Sequence, residues 1–489
     1  MKFQKKLAFN FLSIITGELL SLVLNIFIIA LSARIIGVIN FGIFSFMISI
    51  LAISSNVINM GFGPIIFREL SKNLTDNSLI FSALILRLGM FLVVMLLINV
   101  SNLYMDIFEG NISLYNILML NIIFSAKVIN VRELLIIPFK VEHRMHIPML
   151  IKFFDNLLLI TAILTLLISD PTLENFVIIY TVTNIPGFII LLFFLFGNFK
   201  IRVDLKTQKI FWLIKESLPI WGFLILMGFF QQIDLIMIEK IGDSTATGLY
   251  SAAFRLVMPL YVIPLSLVTT VFPLIVRSKN ENLIEPEKLF SFISTLLIFF
   301  SLAFTAIVLF KKEEIITLIY GNQFIDASFA LAILSISQLP VFLAFFLSDS
   351  FTANNLQRIN LYYALISLIC VFLINLFLIP SYSFKGAAVA RFLSLMIGLT
   401  FYMIIGSIRG YKFLYIKKLH FIWLFVIALT LYILSTILSL IPYCLFGVLA
   451  IIVITIILRF FNKTELLLLF KLFNKEKWAQ KIILIFKYQ

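Results

Sequence analysis

The sequence contains few of the residues that soluble domains and most metal or redox sites require. Charged residues make up 13% of its 489 residues, hydrophobic residues make up 62%, and the mean hydropathy is +1.11. These values exclude a soluble globular protein. The two cysteines, Cys370 and Cys444, both lie in apolar runs, so we expect neither a disulfide framework nor a thiolate metal site. The composition predicts an all-α polytopic membrane protein.

Motifs for catalysis and cofactor binding are also scarce. The three histidines, His143, His146 and His420, lie in predicted connections, and no third ligand accompanies the first two, so we predict no metal site. The sequence lacks a Gly-rich phosphate loop with its lysine. We therefore predict no catalytic residue, no cofactor and no enzymatic activity. Any energy that this chain uses must then come from an ion gradient, the membrane potential or consumption of a product.

Apolar runs of about 20 residues, the length that crosses a bilayer, recur along the chain. The first follows Lys2, Lys5 and Lys6 directly and has no short apolar region with a cleavage site, so we interpret it as a membrane helix. The runs predict about fourteen transmembrane helices, near residues 10–36, 40–62, 79–100, 114–137, 148–169, 174–196, 212–241, 246–276, 288–310, 327–350, 359–380, 384–406, 420–439 and 443–461.

Basic residues in the connections predict the orientation of these helices. Most of them fall on the side of the amino terminus, and the opposite side holds Lys240, Lys311, Lys312 and Lys385. The positive-inside rule therefore predicts that both termini are cytoplasmic. Because this distribution accounts for the net charge of +14, we expect no nucleic-acid partner.

An internal repeat divides the predicted helices into two blocks. Pro64–Arg68 reads PIIFR and Pro273–Arg277 reads PLIVR, about one six-helix block apart, although chance similarity between apolar segments is an alternative. Parallel repeats are a common transporter plan, with the substrate site between two lobes near the midplane. We predict lobes at 1–200 and 201–410, two additional helices at 411–462, and a basic amphipathic cytoplasmic tail at 463–489.

Seven basic side chains lie within the predicted spans. A charge at the bilayer centre costs about 2.5 to 3.5 kcal/mol, so such residues usually face a protein interior or a water-filled cavity, and their sign points to an anionic ligand. Their depth favours Lys127 and Arg255 as anion-binding residues. The seven are Arg34, Arg87, Lys127, Arg132, Lys152, Arg255 and Arg391.

The other five allow simpler explanations. Arg34 and Arg391 lie near span ends, so anion binding and snorkelling to lipid headgroups both stay open. Arg87 lies on the inner side, where it can snorkel in the same way. For Arg132 and Lys152 we favour cytoplasmic snorkelling or pairing with a local acidic residue over substrate contact.

Two predicted helices carry polar stripes that suggest a hydrophilic lumen for sugars or a coupling site. Asp234 also lies at a level where it can pair with Arg255. Ordinary hydrogen bonding between helices is the alternative for each of these residues. The first stripe contains Glu18, Ser21, Asn25 and Ser32, and the second contains Ser217, Trp221, Gly228, Gln231, Gln232 and Glu239, with Trp221 as a candidate stacking surface.

A series of short motifs runs through the first 410 residues. In their order and spacing, the chain resembles the polysaccharide-repeat-unit flippases, the O-antigen (Wzx-type) branch of the multidrug/oligosaccharidyl-lipid/polysaccharide exporter superfamily. Two helices beyond the twelfth depart from the common plan, as in the related lipid II flippases. The motifs are Arg34–Gly37 with Phe41-Gly42, Met60–Gly63 running to Arg68, Asp234 leading to Gly242 and Gly248–Tyr250, Phe272-Pro273, Asn354–Gln357, and Asn375–Pro380 before Lys385–Ala388.

The resemblance implies a MATE-like bundle of six plus six helices in the bacterial inner membrane. It implies alternating-access transfer of undecaprenyl-pyrophosphate-linked oligosaccharides to the periplasmic leaflet, for O-antigen, lipopolysaccharide or another surface polysaccharide. On this hypothesis the pyrophosphate binds Arg255 and Lys127, together with Arg34 and Arg391. The expected partners are this lipid-linked oligosaccharide, membrane lipids, an H+ or Na+ coupling ion, and polysaccharide polymerase and chain-length proteins.

Two other functions compete with this hypothesis. A cation-coupled multidrug exporter of the same fold would need a dominant acidic site, whereas the spans carry a basic excess. A membrane-embedded glycosyltransferase or polysaccharide polymerase would normally have a large extramembrane catalytic loop. The predicted connections of this chain are all short.

Overall fold

The computed structural model describes residues 2–72, 78–199, 207–268, 286–354, 356–409, 418–463 and 465–467, and these ranges contain helices and connections but no strand. Short π- and 3-10 segments at Ile163–Leu167, Met258–Tyr261 and Asn322–Phe324 join some of the helices. The α-helices are α1 (Lys2–Asn59), α2 (Phe62–Lys72), α3 (Ser78–Met105), α4 (Ile112–Met119), α5 (Asn121–Phe124), α6 (Val131–Val141), α7 (His146–Ala162), α8 (Leu173–Val182), α9 (Ile185–Asn198), α10 (Thr207–Ile241), α11 (Ser244–Val257), α12 (Pro286–Tyr320), α13 (Ala327–Ile336), α14 (Gln338–Ala353), α15 (Arg358–Ile408), α16 (Lys418–Ile437) and α17 (Leu440–Ile457).

By length and composition, eleven helical segments among the described residues can cross a membrane. Two of them, Thr16–Asn59 and Arg358–Ile408, have 44 and 51 residues, about twice what a bilayer needs. Each contains one non-helical residue, Gly37 with φ 81° and Ser383 with φ 52°. Each segment is therefore two helices joined at a kink, and each half is long enough to cross a bilayer. The number of about fourteen crossings stays a prediction.

The predicted continuous fourth helix at 114–137 is wrong. The chain forms α4 and α5, leaves the helical conformation between Ser125 and Asn130, and resumes as α6. No proline or glycine lies in this segment to signal the break. Side chains from other helices stabilise the interruption. Because these helices are distant in sequence, a local sequence pattern cannot predict it.

The chain divides into two compact units, Met1–Ser251 (unit 1) and Ala252–Gln489 (unit 2). The predicted lobes, additional helices and tail stay predictions. The PLIVR half of the repeat and residues 468–489 of the tail lie outside the described residues.

Unit 1 has two ends, which we name by residues that lie there. The Gly37 end comprises the turn at Gly37, the 106–111 loop and residues 242–243, and the Arg68 end comprises α2 and the start of α10. At the Gly37 end, a Cβ atom on Gly42 would lie 1.7 Å from the Ser244 carbonyl oxygen. Only glycine permits so close an approach of α1 and α11. At the Arg68 end, Arg68 pairs with Glu216 of α10 at 3.1 Å.

Unit 2 is built around α12. The fully buried Trp423 of α16 donates its indole N–H to Thr455 Oγ1 of α17 at 2.9 Å. Glu465, which is also buried, accepts hydrogen bonds from Ser291 and Thr295 of α12 and from the Asn462 backbone N–H. These bonds fasten the segment that follows α17 to the start of α12.

Candidate functional site

The break between α5 and α6 lies midway along residues 112–141, a region that the sequence predicts to cross the membrane. Backbone groups freed at such a break need new partners, because lipid offers none. Asn59 donates its side-chain amide to the Ile129 carbonyl at 2.9 Å, and Asn130 donates to the Ser55 carbonyl at 2.8 Å. The Lys127 backbone N–H donates to Ser125 Oγ at 3.1 Å. The broken segment is therefore a defined conformation that side chains stabilise.

Arg87 of α3 is the main clamp on this segment. Its guanidinium donates to the Asn59 carbonyl at 2.9 Å, to Asn59 Oδ1 at 3.0 Å and to the Asn130 carbonyl. Glu133 Oε2 lies 3.7 Å from the Arg87 guanidinium. The side chain is fully buried, so the predicted snorkelling of Arg87 is wrong. Span depth alone suggested an interfacial arginine, but the guanidinium points into a polar interior.

Arg132 forms a second buried connection across the break. Its Nη1 lies 2.7 Å from Asp155 Oδ2 of α7 and donates to the Phe124 carbonyl at the end of α5, at 3.0 Å. Both side chains of the ion pair are almost completely buried. Gly187 of α9 makes room for the carboxylate, since a Cβ there would lie 1.8 Å from Asp155 Oδ1. Pairing was expected for Arg132, but its partner is distant in sequence.

Lys152 and Glu18 form a third ion pair, which links α7 to the first half of α1. Lys152 Nζ lies 2.9 Å from Glu18 Oε2. The Glu18 side chain is 54% exposed and that of Lys152 is 18% exposed, so this pair lies closer to the surface than the Arg132 pair. Glu18 was predicted to line a lumen or to act in coupling, and its observed partner gives it a defined electrostatic role.

Lys127 carries the positive charge left over after these pairings. Arg87, Arg132 and Lys152 each have an acidic partner within 4 Å. Lys127 interacts electrostatically with Asp155, which is already paired with Arg132. The Lys127 Nζ lies 4.9 Å from the centroid of the Tyr180 ring. The described part of this region therefore has a net positive charge at the helix break.

The broken segment also reaches the surface of unit 1. Lys127 is half-buried, and Ile129, two residues further along, is 67% exposed. Non-helical backbone at membrane depth is tolerated where it is buried in protein or lines a water-filled cavity. An exposed part of such a segment, with a cationic side chain beside it, is suited to contact an anionic group in water.

Arg391 lies in a polar aromatic cluster of unit 2. Its guanidinium carbon is 5.6 Å from the Phe254 ring centroid, and it interacts electrostatically with Tyr363. The rings of Tyr363 and Tyr402 stack at 4.2 Å, and the Tyr402 hydroxyl donates to Asn360 Oδ1 at 3.0 Å. Arg391 is 5% exposed, which argues against snorkelling to headgroups. The tyrosines of this cluster are separated along the sequence, and no local motif links them to Arg391.

Arg255 and Arg34 have different environments. Arg255 of α11 is half-buried and interacts electrostatically with the buried Tyr320 of α12. Arg34 is exposed and lies three residues before the turn at Gly37, where a basic side chain can reach a bilayer surface. Their role in binding substrate stays a prediction.

The first predicted polar stripe does not face one environment. Ser21 and Ser32 are buried, and Ser32 Oγ donates to the Ile28 carbonyl at 2.7 Å. Asn25 is half-buried and Glu18 is exposed. The spacing places these residues on one side of α1, but neighbouring helices cover parts of that side.

The second stripe is divided in the same way. Trp221, the candidate stacking surface, donates its indole N–H to the Val57 carbonyl of α1 at 2.9 Å, so it joins two helices. Gln231 is exposed and Gln232 is half-buried. Asp234 is fully buried and accepts a hydrogen bond from the Tyr250 hydroxyl at 2.7 Å. Its predicted pairing with Arg255 stays a prediction.

Solved structures of membrane transporters share this fold. The chain superposes on the lipid II flippase MurJ in an inward closed conformation with a TM-score of 0.65 and 16% identity, over 90% of this chain and 97% of that one. An inward-facing multidrug resistance MATE family transporter of the MOP superfamily gives a TM-score of 0.61 and 13% identity, over 80% and 94% of the two chains. These likenesses establish the MATE-like polytopic fold.

Similarity in sequence identifies the protein family more closely than the fold does. The capsular polysaccharide biosynthesis protein CapF of Staphylococcus aureus is 31% identical over 124 residues, which cover 25% of this chain and 31% of CapF. The probable low-salt glycan biosynthesis flippase Agl15 of Haloferax volcanii is 26% identical over 168 residues, 34% of this chain and 35% of Agl15. The matches thus span about a third of these relatives. The model of the polysaccharide biosynthesis protein family matches residues 7–279, more than half of the sequence, so the chain belongs to that family.

Proposed function

We propose that the chain is a flippase that moves undecaprenyl-pyrophosphate-linked oligosaccharide repeat units from the cytoplasmic to the periplasmic leaflet of a bacterial inner membrane. It would do so by alternating access, without a catalytic site, during synthesis of O-antigen or another surface polysaccharide. Membership of the polysaccharide biosynthesis family supports the substrate class. The fold it shares with flippases and exporters supports the transport step.

The observation that carries this proposal is the unbalanced positive charge at the helix break. Discontinuous membrane helices line transporter binding sites, and cations there are suited to anionic substrate groups. Lys127 provides a charge beside an exposed segment, while Arg87 and Arg132 hold the backbone in place. We assign the pyrophosphate to Lys127. Arg255, Arg391 and Arg34 are its further proposed contacts as the lipid crosses.

The proposed orientation and energy source follow from the sequence. Basic residues dominate the Arg68 end, so we assign this end and both termini to the cytoplasm. The sequence lacks an ATP-binding loop, so the proposed sources of energy are an H+ or Na+ gradient, the membrane potential and consumption of the product. Polysaccharide polymerase and chain-length proteins are the proposed protein partners.

A reconstitution experiment distinguishes this function from drug export. Purified full-length protein is inserted into liposomes that contain a fluorescent polyprenyl-pyrophosphate oligosaccharide, and an impermeant quencher reports transfer between leaflets. A parallel sample measures uptake of ethidium, a cationic dye. We expect transfer of the lipid without dye uptake. Dye uptake without lipid transfer would reject the proposal in favour of the drug exporter.

A further inference from the structure

A cavity of about 210 Å³ lies at the Gly37 end of unit 1. Its walls come from the second half of α1, the 106–111 loop and the end of α10. The loop is a tight turn in which Asp106, Glu109 and Gly110 all have positive φ, so the residues that face the cavity have fixed positions. The residues that bear on ligand choice are Phe46, Met47, Phe108, Glu109, Asn111 and Glu239.

Glu239 lines this cavity and has one carboxylate oxygen that is not used within the described residues. The residue is 8% exposed, and its Oε1 accepts a hydrogen bond from Ser244 Oγ at 2.5 Å. Its Oε2 is buried and has no hydrogen-bond partner among the residues that the structure describes. A buried carboxylate oxygen without a partner is costly, so a ligand that donates a hydrogen bond to it would be stabilised.

Charge and size narrow the class of ligand. Lys240 Nζ lies 3.0 Å from Glu109 Oε1, which offsets one of the two carboxylates. The described residues contain no group of three metal-ligating side chains. The volume corresponds to roughly seven waters at about 30 Å³ each, far more than a bare ion needs. A compact organic molecule therefore fits this cavity better than a metal ion.

The lining is complementary to a sugar ring. Ionised carboxylates only accept hydrogen bonds, and the Asn111 amide can both donate and accept. Met47 and the edges of the buried Phe46 and Phe108 rings provide apolar walls. A pyranose has hydroxyl donors around its rim and C–H groups on its faces, so it satisfies both parts of the lining.

We propose that this cavity binds one neutral pyranose unit of the glycan. The inference rests on the proposed function for the source of the sugar, and in the proposed orientation the Gly37 end faces the periplasm. The cavity would then hold a sugar of the translocated oligosaccharide after its pyrophosphate has left Lys127. It provides a second site, specific for sugar hydroxyls, on the side of release.

The test measures sugar binding directly by saturation-transfer NMR. Full-length protein in nanodiscs, prepared without sugar-based detergent, is titrated with methyl glucopyranoside, methyl galactopyranoside, methyl mannopyranoside and N-acetylglucosamine. We expect at least one of these sugars to bind at millimolar concentration. Glu239→Ala should weaken that binding at least tenfold, because it removes the charged acceptor. Ile107→Trp should do the same by filling the cavity while leaving the carboxylate unchanged.

Two controls separate this proposal from the proposed function. Glu174→Ala removes an exposed carboxylate of α8 outside the cavity and should leave sugar binding unchanged. Lys127→Ala should also leave it unchanged, although it impairs lipid transfer. If the protein binds sugar through Glu239 but does not move the lipid, the proposed flippase function is rejected and the proposed sugar site is retained. Absence of binding by all four sugars, or equal binding by wild type and both cavity variants, would overturn the sugar site.

Discussion

Buried charges in unit 1 perform two different tasks. Arg87 and Arg132 donate to backbone carbonyls at the helix break and are also near carboxylates. Their positive charges are therefore neutralised by groups of the protein itself. Lys127 lies in the same region, but the acidic groups around it are already paired. The residue type and its depth in a predicted span do not distinguish these two tasks. The difference lies in the acidic and carbonyl groups that surround each basic side chain.

The Arg132 and Asp155 pair provides the first prediction. Asp155→Asn or Arg132→Leu should each lower the free energy of unfolding by about 3 to 5 kcal/mol, because the partner is left as an uncompensated buried charge. The double variant Arg132→Met/Asp155→Asn, which removes both charges and keeps the volume beside Gly187, should regain part of this loss. Thermal unfolding in detergent measures the effect. If the single variants unfold at the wild-type temperature, the pair has no structural role.

At the scale of helices, local hydropathy patterns were sufficient to predict the apolar spans. They did not predict the helix break at residues 125–130. Apolar runs report length and burial in lipid, and both are properties of a short segment. The break at 125–130 depends on Asn59 from α1 and Arg87 from α3. The one local signal was a polar serine, lysine and asparagine within an apolar span. That signal identified Lys127 as a candidate, but not the conformation around it.

The contact between α1 and α11 also could not be predicted from local patterns alone. Phe41-Gly42 and Gly248–Tyr250 are two of the motifs by which the sequence resembles the flippases, and each contains a glycine followed closely by large side chains. The structure shows these glycines facing each other, with a Cβ on Gly248 only 2.3 Å from the Val38 carbonyl oxygen. Similar short motifs in two helices can therefore indicate contact as well as symmetry.

The close approach of α1 and α11 gives the second prediction. Gly42→Ala should destabilise the protein by roughly 1 to 3 kcal/mol, because the added methyl group overlaps backbone atoms of Ser244. Gly89→Ala in α3 is the matched control, since nothing lies within 4 Å of its Cβ position. That change should be neutral or stabilise the helix. Equal melting temperatures for the two variants would contradict the crossing described for α1 and α11.

The ionic cluster at the Arg68 end gives the third prediction. Hydrogen bonds from Lys72 and then Arg68 lower the pKa of the Glu69 carboxyl, which is half-buried beside these two exposed basic side chains. A lowered pKa in the folded state means that the stabilisation is present at neutral pH. It is lost as the pH falls through the folded pKa. Exposed pairs contribute little and are screened by salt.

We therefore expect Glu69→Gln and Glu216→Gln to change the melting temperature only slightly at pH 7. The difference between Glu69→Gln and wild type should be constant from pH 7 to pH 5 and should shrink at lower pH or in high salt. Melting curves at several pH values and salt concentrations provide the test. A large, salt-independent loss of stability would show that this cluster is a core structural contact.

At the scale of the whole molecule, the sequence predicted the class well because hydropathy and charge are distributed over the entire chain. The fold and the family agree with that prediction. The assignment of sides rests on the uneven distribution of basic residues. It leads to the fourth prediction, which uses cysteine accessibility in intact cells.

In a variant with Cys370 and Cys444 replaced by serine, Lys240→Cys should react with an impermeant maleimide from outside the cell. Lys140→Cys at the end of α6 should react only after the membrane is permeabilised, because we assign that end to the cytoplasm. Both lysines are exposed, so accessibility within the protein is matched. The reverse labelling pattern would invert the proposed direction of transport.

We propose that the positive charge of Lys127, whose acidic neighbour Asp155 is already paired with Arg132, binds the anionic head of the lipid. The most direct test of this central claim is a series of charge variants in the reconstituted lipid-transfer assay, with Lys140→Gln as an exposed control on the same span. We predict that Lys127→Arg retains substantial transfer. Lys127→Gln should lower the rate by roughly tenfold or more, because a charged hydrogen bond is lost, and Lys127→Glu should abolish transfer. Wild-type rates for Lys127→Gln and Lys127→Glu, in correctly folded protein, would contradict the account.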